Sequence, residues 1–145
     1  MRILLGMDGS KYSEAALDAV TKQFRPQGTE VRVVNIVQPI TPVAAPEMAA
    51  NYAPEVADLV KHGKEIVAHG KQKLEQAGFT ADTKVETGDI RVKLIDLAAE
   101  WKADQIVLGS HGRHGIQRFL LGSVAEFVAR NARCSVEIVR VHEKN

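Results

Sequence analysis

Short apolar runs alternate along the chain with longer stretches in which apolar residues recur at helical spacing. Ile3-Leu4-Leu5, bounded by Gly6, reads as a strand buried on both faces. From Ser10 to Phe24, the residues Ala16, Leu17, Val20 and Phe24 form one face of a helix, with Gly9, Ser10 and Ser13 as turn and cap signals. Val31 to Val37 is β-branched and nearly continuous, a second covered strand. Gln38 to Pro54 carries Pro39, Pro42, Pro46 and Pro54 among many alanines. Proline removes a backbone donor and disfavours helix just before it, so an irregular surface loop is expected over 38–54. Pro54 then suits the first turn of a helix running to about Ala77 and stopped by Gly78. Lys84-Val85-Glu86 reads as a short third strand. Gly88-Asp89 opens a helix on which Ile90, Leu94, Leu97 and Trp101 fall on one stripe. Gln105 to Gly109 is a fourth strand, Ser123 to Asn131 a helix, and Val136 to Val141 a last strand.

The order βαβαβαβαβ implies parallel pairing, right-handed crossovers and helices on both faces of one sheet. The fold class expected is therefore α/β, a single open doubly wound sheet of five parallel strands in the order 3-2-1-4-5. Ligands of such sheets collect beyond the carboxyl ends of the strands where the order reverses, beside strand 1. The loops at that point begin at Gly6-Met7-Asp8 and at Gly109.

Bulk properties narrow the picture. A length of 145 residues fits one domain, 1–145, with a core large enough to need no disulfide or structural metal. Nineteen basic against eighteen acidic residues give +1, which argues against a nucleic-acid partner as the dominant one. Cys134 is the one cysteine, so no intrachain disulfide forms. Met1 to Met7 reads as a strand rather than a leader, and a cytoplasmic location is expected. No apolar run approaches the length of a membrane span, so no membrane association is expected.

Candidate chemistry concentrates after the fourth strand, in Gly109-Ser110-His111-Gly112-Arg113-His114-Gly115 and then Gly122-Ser123. Glycine permits positive φ and lets backbone amides approach an anion. Gly122 and Ser123 open a helix whose first amides lack internal partners and carry partial positive charge. From Gln105 to Ala125 there is no Asp or Glu, while His111, Arg113, His114 and Arg118 all occur. A structural reading stands beside the phosphate one: the glycines can simply make a tight turn, and Ser123 with Glu126 has the spacing of a capping box.

The spacing Gly109-x2-Gly112-x9-Gly122-Ser123 resembles the signature of the ATP-binding universal stress proteins. The opening from Ile3 through Asp8-Gly9-Ser10 to Ser13 and Ala16-Leu17 is similar to that family's as well, so the resemblance covers the whole chain. It implies a Rossmann-like fold of the adenine nucleotide alpha hydrolase type and a regulatory stress-response protein that binds ATP. Asp8 would meet the adenosine part and the Ile36 backbone the adenine. Gly109, Gly112 and Arg113 would follow the phosphates from one side, and Gly122, Ser123 and Val124 from the other. Mg²⁺ or Mn²⁺ would be held by the phosphates, with no metal ligand from protein side chains. The resemblance also implies a homodimer through the last strand, 136–141, and a protein partner that reads nucleotide occupancy. Cys134-Ser135-Val136 lacks the proline that often enters this strand in the family, and Glu137 interrupts its apolar alternation.

Two other functions remain open at this level: a genuine ATPase, and an interaction module of the same fold without nucleotide. Against the first, Gly-x4-Gly-Lys-[Ser/Thr] is absent and no lysine lies between Lys102 and Lys144, so the clamp of P-loop enzymes is missing. At most a weak ATPase is expected. A valine at Gly109 or a bulky residue at Gly122 is expected to abolish ATP binding in a folded protein. Among the remaining residues, His62 and His69 read as helix surface, Trp101 as core, and Cys134 as apolar filler at a strand edge.

Overall fold

The computed structural model describes residues 1–39, 46–112 and 121–141, with side chains from residue 55 onward in the second segment. Among the described residues, nine elements follow one another: β1 (Arg2–Gly6), α1 (Lys11–Gln23), β2 (Glu30–Val37), α2 (Pro46–Gln76), β3 (Thr80–Thr87), α3 (Ile90–Trp101), β4 (Gln105–Gly109), α4 (Ser123–Asn131) and β5 (Ser135–Val139). All pairings are parallel and the strand order is β3-β2-β1-β4-β5, as the alternation of elements required.

Two cores explain why the strands are apolar on both sides. On one face, Ile3 and Leu5 of β1 pack with Leu17 and Val20 of α1 and with Ile66, Val67 and Leu74 of α2. On the other, Leu4, Ile106 and Leu108 pack with Leu94 and Leu97 of α3 and Val128 of α4. Ile3, Leu4 and Leu5 are each fully buried, and every such side chain contributes roughly 1.5–3 kcal/mol of transfer free energy. A run with no polar residue is the pattern that helices on both faces demand.

Three elements differ from the sequence expectation. The helix α2 begins at Pro46 rather than at Pro54, so nine residues of the expected loop are helical, 46 through 54. Either proline can occupy a first turn, where its missing N–H costs nothing. The alanines between them favour helix strongly enough to extend it to the earlier one. β3 runs from Thr80 to Thr87, longer than Lys84 to Glu86, because each of its residues pairs with one of Glu30–Val37. As an edge strand it stays largely polar, which hid it from an apolar-run criterion. β5 starts at Ser135 and ends at Val139, so Val141 lies beyond the last strand instead of within it.

Trp101 is half-buried rather than core. Its ring packs against the second core on one side and carries the Arg32 guanidinium on the other, 4.5 Å from the centroid. Arg32 forms a two-pronged pair with Asp82 on β3, at 2.8 and 2.9 Å. Hydrogen bonding to Asp82 raises the Arg32 pKa above its ordinary value.

Cys134, just ahead of β5, packs against the second core as expected of a filler. Burial pushes its thiol pKa up. The neutral thiol is thus the form the fold favours. Its contribution to stability is complete below the unfolded-state pKa and is lost as pH rises through the raised folded value. Alkylation of Cys134 by iodoacetamide at pH 8 is expected to be several-fold slower in the folded protein than in urea, since the thiolate is the nucleophile. Equal rates would show that the thiol is not desolvated.

Candidate functional site

At the carboxyl ends of β1, β2 and β4 the structure opens a cavity of about 410 Å³, within the range of small-ligand sites. Its position follows from the topology. The chain leaves β1 towards β2 on one side and β4 approaches on the other, so no crossover covers the ends between them. Gly6, Met7 and Asp8 line it from the end of β1, and Asn35 to Gln38 from β2. Leu59, His62, Gly63 and Ile66 of α2 form one wall and Ile90 and Leu94 of α3 another. The far end is made by Gly109 at the end of β4, by His111 and Gly112 after it, and by Gly122 to Ala125 at the start of α4.

The two loops at this crevice are tied down locally. Asp8 Oδ1 accepts from the Ser10 amide at 2.9 Å, and the Asp8 amide donates to Ser13 Oγ at 3.3 Å. Ser10 caps α1, its side chain accepting from the Ser13 amide. Asp8 is therefore both a helix-entry carboxylate and a wall of the cavity. After β4, the Ser110 amide donates to the Val139 carbonyl, and Ser110 Oγ lies 3.0 Å from His111 Nδ1. The His111 ring leans on Tyr12 of α1, with centroids 5.2 Å apart.

The start of α4 carries the chemistry. Among the helix starts with described caps, α1 uses Ser10 and α3 uses Asp89, whereas α4 begins at Gly122 with no side-chain cap. The capping box read from Ser123 and Glu126 does not form. Ser123 is the first helical residue, one position too late to cap, and Glu126 pairs with Arg130 at 2.9 Å. Among the described residues, none accepts from the amides of Ser123, Val124 and Ala125. Three donors at the positive end of a helix dipole thus face the cavity, an arrangement suited to an anion.

The glycines work differently from the sequence expectation. Gly109, Gly112 and Gly122 have no positive φ, and Gly122 sits at φ −71°. They act through close approach. A Cβ on Gly109 would stand 2.6 Å from the Tyr12 carbonyl carbon, so this glycine admits α1 against β4. A Cβ on Gly122 would stand 3.1 Å from His111 Cα and 3.2 Å from the Ser110 carbonyl oxygen. The Gly122 amide is already engaged, donating to that carbonyl at 2.7 Å, so it holds the two halves of the loop together and does not offer its N–H to a ligand. Among the described residues, a Cβ on Gly112 would meet only Asp8 Oδ2, at 3.6 Å.

Of the candidate residues, Asp8, Ile36, Gly109, Gly112, Gly122, Ser123 and Val124 all line the one cavity. Arg113, with His114 and Arg118, lies outside the described residues. The α2 wall was missed: His62 lines the cavity as well as being half-exposed, and Asn35 was read only as part of a strand. The signal available for Asn35 was one amide in a row of valines and isoleucine. His69 is a surface residue as expected and pairs with Glu14 at 2.9 Å. Among the described residues there is no group of three His, Cys, Asp or Glu placed to hold a metal ion, and no helix long and apolar enough to cross a membrane.

The sequence model of the universal stress protein family matches residues 1–140. The chain belongs to the universal stress protein family. It is 34% identical to a universal stress protein of Methanocaldococcus jannaschii, over 99% of this chain and 84% of the relative. In fold, this universal stress protein is similar to UspA of Lactobacillus plantarum, with a TM-score of 0.87, 20% identity and 97% of both chains covered. It also resembles a universal stress protein solved in complex with cAMP, with a TM-score of 0.64, 26% identity, and 97% and 96% of the two chains covered.

Proposed function

We propose that this universal stress protein binds ATP in the cavity and that the occupied state is what a partner, or a second copy, reads. The observation that carries the reading is the uncapped start of α4, whose Ser123, Val124 and Ala125 amides open on a cavity at the switch point of the sheet. The phosphates lie against those amides and Gly112. The adenosine part extends past Asp8 to the Ile36 backbone, between the walls made by α2 and α3. The complex of a relative with cAMP supports an adenine nucleotide as the ligand class.

The same residues support binding without rapid turnover. Asp8 is the carboxylate among the described cavity residues, and it already accepts from the Ser10 amide. No lysine between Lys102 and Lys144 is available to clamp a transferring phosphoryl group. Mg²⁺ or Mn²⁺, when present, is held by the phosphates, since the described side chains offer no cluster of ligands for it. Pairing of two copies through β5 fits its place as the last strand of the sheet among the described residues, with Val136, Ile138 and Val139 half-buried.

Native mass spectrometry of the purified chain and calorimetric titration with ATP test the reading. Co-purifying nucleotide, or saturable one-to-one binding that raises the melting temperature, is the expected result. An ATP titration without heat or thermal shift would remove it. Multiple-turnover hydrolysis at about 1 s⁻¹ or faster would replace it with an enzyme.

A further inference from the structure

On the α2 side of β2, Val31 and Val33 are followed at the next inward position by an amide, Asn35, which is 8% exposed. Its Nδ2 donates to the Met7 carbonyl at 2.8 Å. A carbonyl accepts only from a donor, so this bond orients the amide and leaves Oδ1 on the opposite side. The helix α2 closes over it: a Cβ on Gly63 would stand 2.5 Å from Oδ1 and 3.3 Å from Val85 Cγ1. Only a glycine lets the helix come so near, and the bond to Met7 fixes which way the amide faces.

Among the described residues, none donates to Asn35 Oδ1. Yet no sealed side-chain nitrogen or oxygen among them lacks a partner, so Oδ1 keeps an accessible face. That face belongs to the cavity, which Asn35 and Gly63 both line. The result is an oriented, largely dehydrated acceptor waiting for an N–H or O–H donor.

We infer that Asn35 Oδ1 accepts a hydrogen bond from the 6-amino group of the bound adenine and selects adenine over purines carrying a 6-oxo group. This deepens the nucleotide reading above and rests on it. Position identifies the base as the donor. Strands lie about 4.8 Å apart, so β2 stands two spacings, on the order of 10 Å, from β4 and the amides at the phosphate end. The neighbouring walls, Val37, Leu59 and Ile66, are apolar and suit a flat ring. Hypoxanthine or guanine would place a carbonyl oxygen where adenine has its amine. Two acceptors would then face each other with no proton between them, which costs each its hydrogen bond and disfavours the 6-oxo base.

The test is a two-by-two titration of the full chain, wild type and Asn35→Leu, with ATP and inosine triphosphate. Wild type is expected to prefer ATP by at least about tenfold. In the leucine variant, ATP should bind about tenfold more weakly and inosine triphosphate about as before, so the preference narrows about tenfold. Equal weakening of both ligands, with the ratio intact, would make Asn35 a structural residue and overturn the inference. Should the variant melt below the titration temperature, wild type with purine riboside triphosphate, which lacks the 6-amino group, decides the matter. About tenfold weaker binding than ATP is expected, and equal affinity overturns it. Failure of wild type to bind any of these nucleotides would instead sink the underlying nucleotide reading.

Discussion

Replacing Gly109 by valine is expected to destabilise the protein by about 3 kcal/mol and to lower its melting temperature by roughly 10 °C. The reason is steric and concerns backbone rather than ligand. The new Cβ would lie 2.6 Å from the Tyr12 carbonyl carbon and 2.7 Å from both the Tyr12 Cβ and its carbonyl oxygen. Real Cβ atoms do not sit so close to backbone, so α1 must move off β4, and α1 contributes Ala16, Leu17 and Val20 to the first core. This revises the expectation from sequence that Gly109→Val would remove binding from an intact fold. Thermal melting monitored by circular dichroism checks it. A variant that melts within about 2 °C of wild type, a change worth less than about 1 kcal/mol, would show that α1 does not press on β4 as described.

Gly122→Val should behave in the opposite way, losing affinity for ATP by about 100-fold or more while costing only about 1 kcal/mol of stability. Its backbone angles, φ −71° and ψ 163°, are ones that valine adopts without strain. What valine cannot do is keep the start of α4 within reach of the turn after β4. Its Cβ would press on His111 Cα at 3.1 Å and on the Ser110 carbonyl oxygen at 3.2 Å. The hydrogen bond from Gly122 to Ser110, 2.7 Å long, would lengthen or break. The Ser123 and Val124 amides would then swing away from Gly112, and the two sides of the anion site would no longer converge. Titration calorimetry with ATP, beside a thermal melt, separates the two effects. Affinity unchanged in the variant would mean that the phosphates do not lie where α4 begins.

The contrast between these two glycines shows where sequence reading stops. Both belong to one spaced motif and look equivalent along the chain. One is required by a helix from the opposite end of the sequence, the other by the loop it closes. Glycine permits positive φ, but Gly109, Gly112 and Gly122 do not use that freedom, since none of them sits in a left-handed turn. The alternative structural reading of Ser123 and Glu126 failed for a local reason: the helix starts at Ser123, one residue earlier than a capping box built on Ser123 needs. That shift leaves the first amides of α4 without a side-chain partner.

Sequence by itself determined the strand and helix alternation, the parallel sheet with its order, and the place of the crevice. Each of these follows from apolar periodicity and connection length, which are local properties of the chain. It also pointed to Asp8, Ile36, Gly109, Gly112, Gly122, Ser123 and Val124, which line one cavity, and to Arg113, which lies outside the described residues. Tertiary structure alone decided which glycine meets Tyr12, that Gly63 lies over Asn35, and that α2 walls the cavity with Leu59, His62 and Ile66. Those facts are distances between segments remote in sequence. Periodicity says which face of an element is buried, but not which atom of another element it will touch.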